Sequence, residues 1–256
     1  MGFRTGAFAP VLFYTGGDEG VELVPVADFF KFLRGGGGRG SSDSVATADS
    51  DRVTRRCTGL GELVKALSWL DGQKVLDLGP TSPANISFFT SMGQRTYGED
   101  VLLAARDPEY QVEGEDGSRT VDVDKFLANN LTFEKESFDA VLLWDMPDYL
   151  SEPLVKPVVQ RIQTIMKPGA LVLAFFHTKD AGPDAPYQRY HIASADTIEL
   201  QRIPLPASGG DQKGRYAHFR LQRVFNNRHI ENLFRDFGSL KFFLGRDNIR
   251  EVLVVR

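Results

Sequence analysis

From about residue 59 onward, apolar positions alternate between two periods. Leu60, Leu63, Val64, Leu67 and Leu70 recur at spacings of three and four, one face of a helix that Asp71-Gly72 stops. Lys74-Val75-Leu76-Asp77-Leu78-Gly79 then reads as a short apolar strand ending in Asp and Gly. Ser82-Pro83 supplies an N-cap and a first-turn proline, and the helix that follows turns Ile86 and Phe89 inward before ending at Gly93. Arg95 to Gly98 predicts a second strand, closed by Glu99-Asp100. Patterning is weak as far as Lys135, with Thr120 to Val123 the best third strand. Ala140 to Trp144 is a continuous apolar run of the kind a strand buried on both faces shows. Leu154, Val158, Ile162 and Ile165 mark another helix, stopped by Lys167-Pro168-Gly169, and Ala170 to Phe176 is the next buried strand.

Near the C-terminus Asn227 is expected to cap a helix with Ile230, Leu233, Phe234 and Phe237 inward and Gly238 as its stop. Leu240 to Leu244 and Glu251 to Val255 are two strands joined through Gly245-Arg246-Asp247-Asn248, too short for a crossover helix, so they must pair antiparallel. Between Thr178 and Val224 the helical period is lost. Thr197 to Gln201 and His218 to Gln222 alternate as half-exposed strands do. These patterns predict an α/β fold: a Rossmann-like, doubly wound, mostly parallel sheet with a C-terminal antiparallel hairpin and a β-rich insertion over 178–224. An insertion after a strand end lies where open α/β sheets bind ligands, so it is expected to cap a substrate.

Upstream, residues 34–52 are rich in Gly, Ser and Asp and cannot bury enough apolar surface to order themselves. They are expected to be a flexible linker between an N-terminal arm, 1–33, and the main domain, 53–256. With 42% hydrophobic and 25% charged residues the chain has the makings of an ordinary core. A net charge of −4 gives no overall basic surface, which argues against nucleic acid as a partner. The single cysteine, Cys57, excludes an internal disulfide or a Cys-cluster zinc site and reads as a reduced thiol. No apolar run reaches the roughly 18 residues of a membrane span, and the N-terminus lacks a signal-peptide pattern, so a cytoplasmic location is expected.

The segment Val75 to Ser82 carries the main chemical signal. A strand, a tight turn and a helix N-terminus bring backbone N–H groups close to a ligand, and Gly79 permits close approach. An acid at Asp77 suits an amino-bearing ligand and repels a phosphate. Neither GxxxxGK[ST] nor GxGxxG is present. Glu99 and Asp100, at the end of the second strand, can accept ribose hydroxyls. Neighbours on a strand face opposite ways, so one of them is expected in the site, and Glu99 is preferred. Taken singly, Asp77 could cap the next helix, and Glu99-Asp100 could be a solvated turn.

The order VLDLG, YGED, FDAVLLWDMPDYL and IMKPGALVLAFF resembles the class I S-adenosylmethionine-dependent methyltransferases over about residues 57–177, and the final helix and hairpin extend the resemblance. It implies S-adenosyl-L-methionine as cofactor, with Asp77, Gly79 and Pro80 beside its methionine part and Glu99, with Asp100, at the ribose. Asp124 and Phe126 would approach the adenine, and Trp144 and Asp145 would line the junction with substrate. The usual glycine-rich loop is altered: Pro80 and Pro83 stiffen it and two glycines are replaced.

His177, at the end of the 170–176 strand, and His191, in the insertion, are the candidate general bases, each weighed against a hydrogen-bonded structural histidine. Tyr149, Tyr187, Arg189 and Tyr190 form a candidate substrate cluster, though loop polarity explains it almost as well. Lys213, Arg215, Arg220, Arg223 and Arg228, interleaved with Tyr216 and Phe219, are better read as a solvated strand face than as an RNA contact. Asp145-Met146-Pro147-Asp148-Tyr149 is not the tetrapeptide associated with methylating amino groups of bases. The expected reaction is methyl transfer to a small molecule, needing no metal. The rivals are a silent protein of the same fold, acting by cofactor or partner binding, and a nicotinamide-dependent oxidoreductase, for which the phosphate-binding loop is missing.

Overall fold

The structure, a computed structural model, describes residues 52–113, 119–180, 182, 185–203, 216, 218–245 and 248–256. The N-terminal arm 1–33, the linker up to residue 51, Lys213 and Arg215 lie outside the described residues. In chain order the strands are β1 (Arg52–Arg56), β2 (Lys74–Asp77), β3 (Arg95–Gly98), β4 (Gln111–Glu113), β5 (Arg119–Val121), β6 (Phe138–Trp144), β7 (Met166–His177), β8 (Gln188–Ser194), β9 (Thr197–Arg202), β10 (Ser239–Leu244) and β11 (Ile249–Val255). The helices are α1 (Thr58–Leu67), α2 (Pro83–Ser91), α3 (Val101–Ala104), α4 (Val123–Asn129), α5 (Met146–Tyr149), α6 (Glu152–Ile165) and α7 (Asn227–Leu233).

The main sheet runs β10-β11-β7-β6-β2-β3. Four of its strands, β7-β6-β2-β3, are parallel, and β11 and β10 close it antiparallel, as the short final turn requires. This is the mostly parallel Rossmann-like α/β sheet with a C-terminal hairpin that the periodicity predicts. Successive residues serve opposite faces. Leu76, Val141, Leu143, Val172, Ala174 and Phe176 join the core under α6 and α7. Val75, Ala140, Leu142, Trp144, Leu173 and Phe175 join the core under α1 and β8. Both faces are covered, which is why these strands read as unbroken apolar runs.

A second sheet, β1-β9-β8, is antiparallel throughout and sends Tyr190, Ile192, Ile198 and Leu200 into the second core. Arg52 is the first residue of β1 and pairs with Gln201. Cys57 caps α1, its Sγ accepting from Leu60 N, and burial raises its thiol far above the ordinary value.

Several expectations are corrected. Leu70 is 64% exposed, because α1 ends at Ser68, whose hydroxyl donates to Lys65 O, and the chain then turns through Gly72. The Thr120 segment does not enter the main sheet. Arg119–Val121 pairs locally with Gln111–Glu113 in a separate ribbon, where only Val121 is buried. His218 to Gln222 is no strand: the Gln222 and Arg223 amides both donate to Asp148 O rather than to a ladder. The strand Gln188–Ser194 takes its place. The cap of α7 is Asn226, whose Oδ1 accepts from His229 N at 2.9 Å.

Candidate functional site

From β2 the chain crosses to β3 on one side, and from β6 it crosses to β7 on the other. The order therefore reverses between β2 and β6, and ligands of open α/β sheets bind at the carboxyl end of such a switch point. Asp77 and Gly79 stand there from β2, Trp144 and Asp145 from β6, and Glu99 and Asp100 one strand further out.

Asp77 is 5% exposed. Its Oδ1 accepts from the Trp144 indole Nε1 at 2.7 Å and from Gly79 N at 3.2 Å, and its Oδ2 accepts from Asn85 Nδ2 at 2.7 Å. Burial raises its carboxyl above the usual range, and the donors of Asn85, Trp144 and Gly79 pull it back. Asn85, on α2, ties this carboxylate to the second sheet: Nδ2 also reaches Tyr190 O, and Oδ1 accepts from Ile192 N. Trp144 lies flat on Tyr190, ring centroids 5.2 Å apart and planes 7° from parallel, with Phe175 at its edge. A Cβ on Gly79 would stand 2.9 Å from Trp144 Cδ1. Only glycine allows that approach. Trp144 itself has φ of 50°, the left-handed region, beside a register shift in the pairing of β6 with β7. That conformation costs a non-glycine residue about 1–2 kcal/mol.

Glu99 and Asp100 have different partners. Glu99 Oε1 accepts from Leu131 N at 2.8 Å, and burial pushes its carboxyl up to about 6 against that hydrogen bond and the nearby Arg161. Asp100 caps α3 through Leu103 N and accepts from the Tyr216 hydroxyl.

Beyond the switch point lies a buried polar cluster. Asp148 Oδ2 accepts from both the His177 amide, 2.7 Å, and His177 Nδ1, 2.8 Å. Asp145 Oδ2 accepts from the Tyr190 hydroxyl at 2.7 Å. The second oxygen of each carboxylate, Oδ1, is buried without a hydrogen-bond partner. Burial above all raises both carboxyls, that of Asp145 to about 6. Tyr149 sets its ring edgewise to His177 and Tyr187. Tyr149 and His177, with Ala185, Pro186, Gln188, Arg202 and Leu221, line a cavity of about 310 Å³.

The remaining sequence candidates are placed as follows. His191 has both nitrogens engaged, Nδ1 with Ser82 Oγ at 2.8 Å and Nε2 with Gln201 Oε1 at 3.1 Å, and burial lowers its basicity. It links α2 to the second sheet. Arg189 donates to Thr81 O and lies over the Tyr216 ring. Tyr187 and Tyr190 are buried, Pro80 is buried in the turn after β2, Asp124 is exposed in the first turn of α4, and Phe126 packs in the core against Tyr110. Two residues of the site were missed. Asn85 sits at helical spacing like any surface polar residue. Asp148 stands in the sequence as an ordinary acid just ahead of a helix. A buried carboxylate needing partners was the one signal that could have pointed to them.

No protein family matches the chain, and no curated protein matches it. Solved structures resemble it at fold level. One is a possible exported protein of Bordetella parapertussis, 15% identical, with a TM-score of 0.39 over 77% of this chain and 66% of that one. Another is the 1,6-didemethyltoxoflavin-N1-methyltransferase of Burkholderia thailandensis, solved with its substrate and S-adenosylhomocysteine: 13% identity, TM-score 0.40, 90% of this chain and 84% of that one. A third is an S-adenosylmethionine-dependent methyltransferase of Mesorhizobium loti: 13% identity, TM-score 0.41, 75% and 95%. Among the described residues, no helix is long and apolar enough to cross a membrane.

Proposed function

We propose that this chain is an S-adenosylmethionine-dependent methyltransferase acting on a small-molecule acceptor. The observation that carries the reading is the row of acids Asp77, Glu99 and Asp145 closing three adjacent parallel strands at the switch point, beside the His177–Asp148 pair. The donor set suits the cofactor's polar ends. The Asp77 carboxylate already accepts N–H donors, as it would from an ammonium, and half-buried Glu99, at the end of the neighbouring strand, is the proposed acceptor for ribose hydroxyls. Bound S-adenosylmethionine would supply a methyl group already activated by its sulfonium, so the protein's task is chiefly alignment.

In this reading the cavity beneath Tyr149 holds the acceptor. Asp148 Oδ2 accepts from Nδ1–H of His177, which fixes the imidazole against the cavity, and this histidine is the proposed base for the acceptor's proton. Tyr149 lines the cavity and is held edgewise against Tyr187. The cytoplasm remains the proposed location, 178–224 the proposed cap, 1–33 a proposed N-terminal arm, and the Gly/Ser/Asp-rich stretch that follows it a proposed flexible linker to the main domain.

Calorimetry of the full chain with S-adenosylhomocysteine, and separately with NADH, tests the reading. Micromolar binding of the first alone supports it, and an acceptor is then sought by mass spectrometry of metabolite extracts. Binding of NADH alone would replace it with the oxidoreductase. A second reading, a protein of this fold that binds no cofactor, is favoured by one observation: both Asp77 oxygens are already occupied from within the chain.

A further inference from the structure

We infer that Trp144 is a plug: its indole stands in the switch-point crevice where a ligand would sit, and it must swing out before a ligand reaches Asp77. The inference rests on the cofactor reading and adds the regulation of that site.

Of the contacts that hold the indole, three are ones a ligand could take over. The Nε1–H donates to Asp77 Oδ1, so the ring presents the N–H donor that an ammonium would present. Its edge, at Cδ1, lies against Gly79, the one residue of the turn that lets anything approach so closely. Its face covers Tyr190 in a parallel stack, a surface that takes a flat or cationic group equally well. A ligand with an N–H donor and such a group therefore competes with Trp144 for the same partners.

The backbone supplies the second argument. Trp144 adopts φ of 50° where β6 loses register with β7. Such a conformation is disfavoured for a bulky side chain and persists only where surrounding contacts enforce it. The ring's contacts at this strand end are those with Asp77, Gly79 and Tyr190. Displacement of the indole would release that strain as Asp77 exchanges one N–H donor for another. The carboxylate is never left bare, which a buried charge requires.

The chain has two tryptophans, and Trp69, 78% exposed, can be removed without touching the site. In Trp69→Phe protein all tryptophan emission comes from Trp144. Titration with S-adenosylhomocysteine is expected to shift that emission to the red and to raise its quenching by acrylamide at least twofold. Trp144→Ala and Trp144→Phe, both checked for folding by circular dichroism, are expected to bind S-adenosylhomocysteine more tightly than the parent, the alanine variant by at least tenfold. Binding to the parent with emission and quenching unchanged overturns the plug and leaves the methyltransferase reading standing. Binding only by the alanine variant supports the plug and removes that reading for the native chain. Binding by no variant overturns both.

Discussion

Trp144 Nε1 and Asp77 Oδ1, 2.7 Å apart, join the ends of β6 and β2 across the point where the strand order reverses. Gly79 lies against the Cδ1–Nε1 edge of the ring. Alanine there forces its Cβ to 2.9 Å from Cδ1, so Gly79→Ala is expected to destabilise the protein by about 1–3 kcal/mol, the usual range for overpacking. In a Trp144→Ala background the cost should largely disappear. Urea midpoints of the four proteins measure the coupling, and equal costs in both backgrounds would remove it.

Asn85 holds Asp77 to the second sheet through three hydrogen bonds. Asn85→Ala strips a buried carboxylate of one donor and leaves Ile192 N–H without its acceptor. The expected loss is about 2–4 kcal/mol, well above that of an ordinary surface polar residue. Chemical denaturation at pH 7 provides the check, and a loss below about 1 kcal/mol would mean that water substitutes freely.

Asp145 gives a pH dependence of definite sign. Its folded carboxyl lies near 6, above the ordinary 3.8, because burial disfavours its charge. Between these values the native state holds a proton that the unfolded chain has lost, so Asp145 lowers stability as pH rises from about 4 to 6. Asp145→Asn keeps an acceptor for Tyr190 and removes the buried charge. It is expected to raise stability at pH 7 by on the order of 1–3 kcal/mol and by much less at pH 4. Thermal melts at the two pH values distinguish this from a gain independent of pH.

Glu99, raised to about 6, sets the pH dependence of cofactor binding in the proposed reading. The ionised carboxylate is the better acceptor for hydroxyls, so affinity for S-adenosylhomocysteine should rise from pH 5 to pH 7. Glu99→Gln should weaken binding about tenfold at pH 7 and flatten the profile, as calorimetry at several pH values would show. An unchanged affinity would take the ribose away from Glu99.

His177→Ala should lower kcat about a hundredfold or more once an acceptor is in hand, the usual contribution of a general base. The dissociation constant for S-adenosylhomocysteine should stay within about twofold. A matching loss of cofactor affinity would mark His177 as a structural residue, held by Asp148 for packing alone.

The order of strands and helices was legible because each element buries a face with its own period. Leu60, Leu63 and Val64 repeat as a helix does, and Ala140 to Trp144 run unbroken because both faces of β6 are covered. The short link before β11 was enough to make the last two strands antiparallel. That Asp77 and Glu99 stand at strand ends was also legible, since a strand ending in an acid needs only local sequence to be seen.

Other features depend on residues far apart in the chain, and no local pattern contains them. The pairing of Arg52–Arg56 with Thr197–Arg202 and the redirection of the Gln222 amide to Asp148 both arise from long-range hydrogen bonding. The sequence by itself determined a parallel sheet with acids at its carboxyl edge, because periodicity and strand ends are local properties. Only the tertiary structure decided that Trp144 and Asn85 take both oxygens of Asp77, and that Asp148 holds His177. A buried carboxylate takes whichever donors the folded chain brings within reach, and that choice is made in space rather than along the chain.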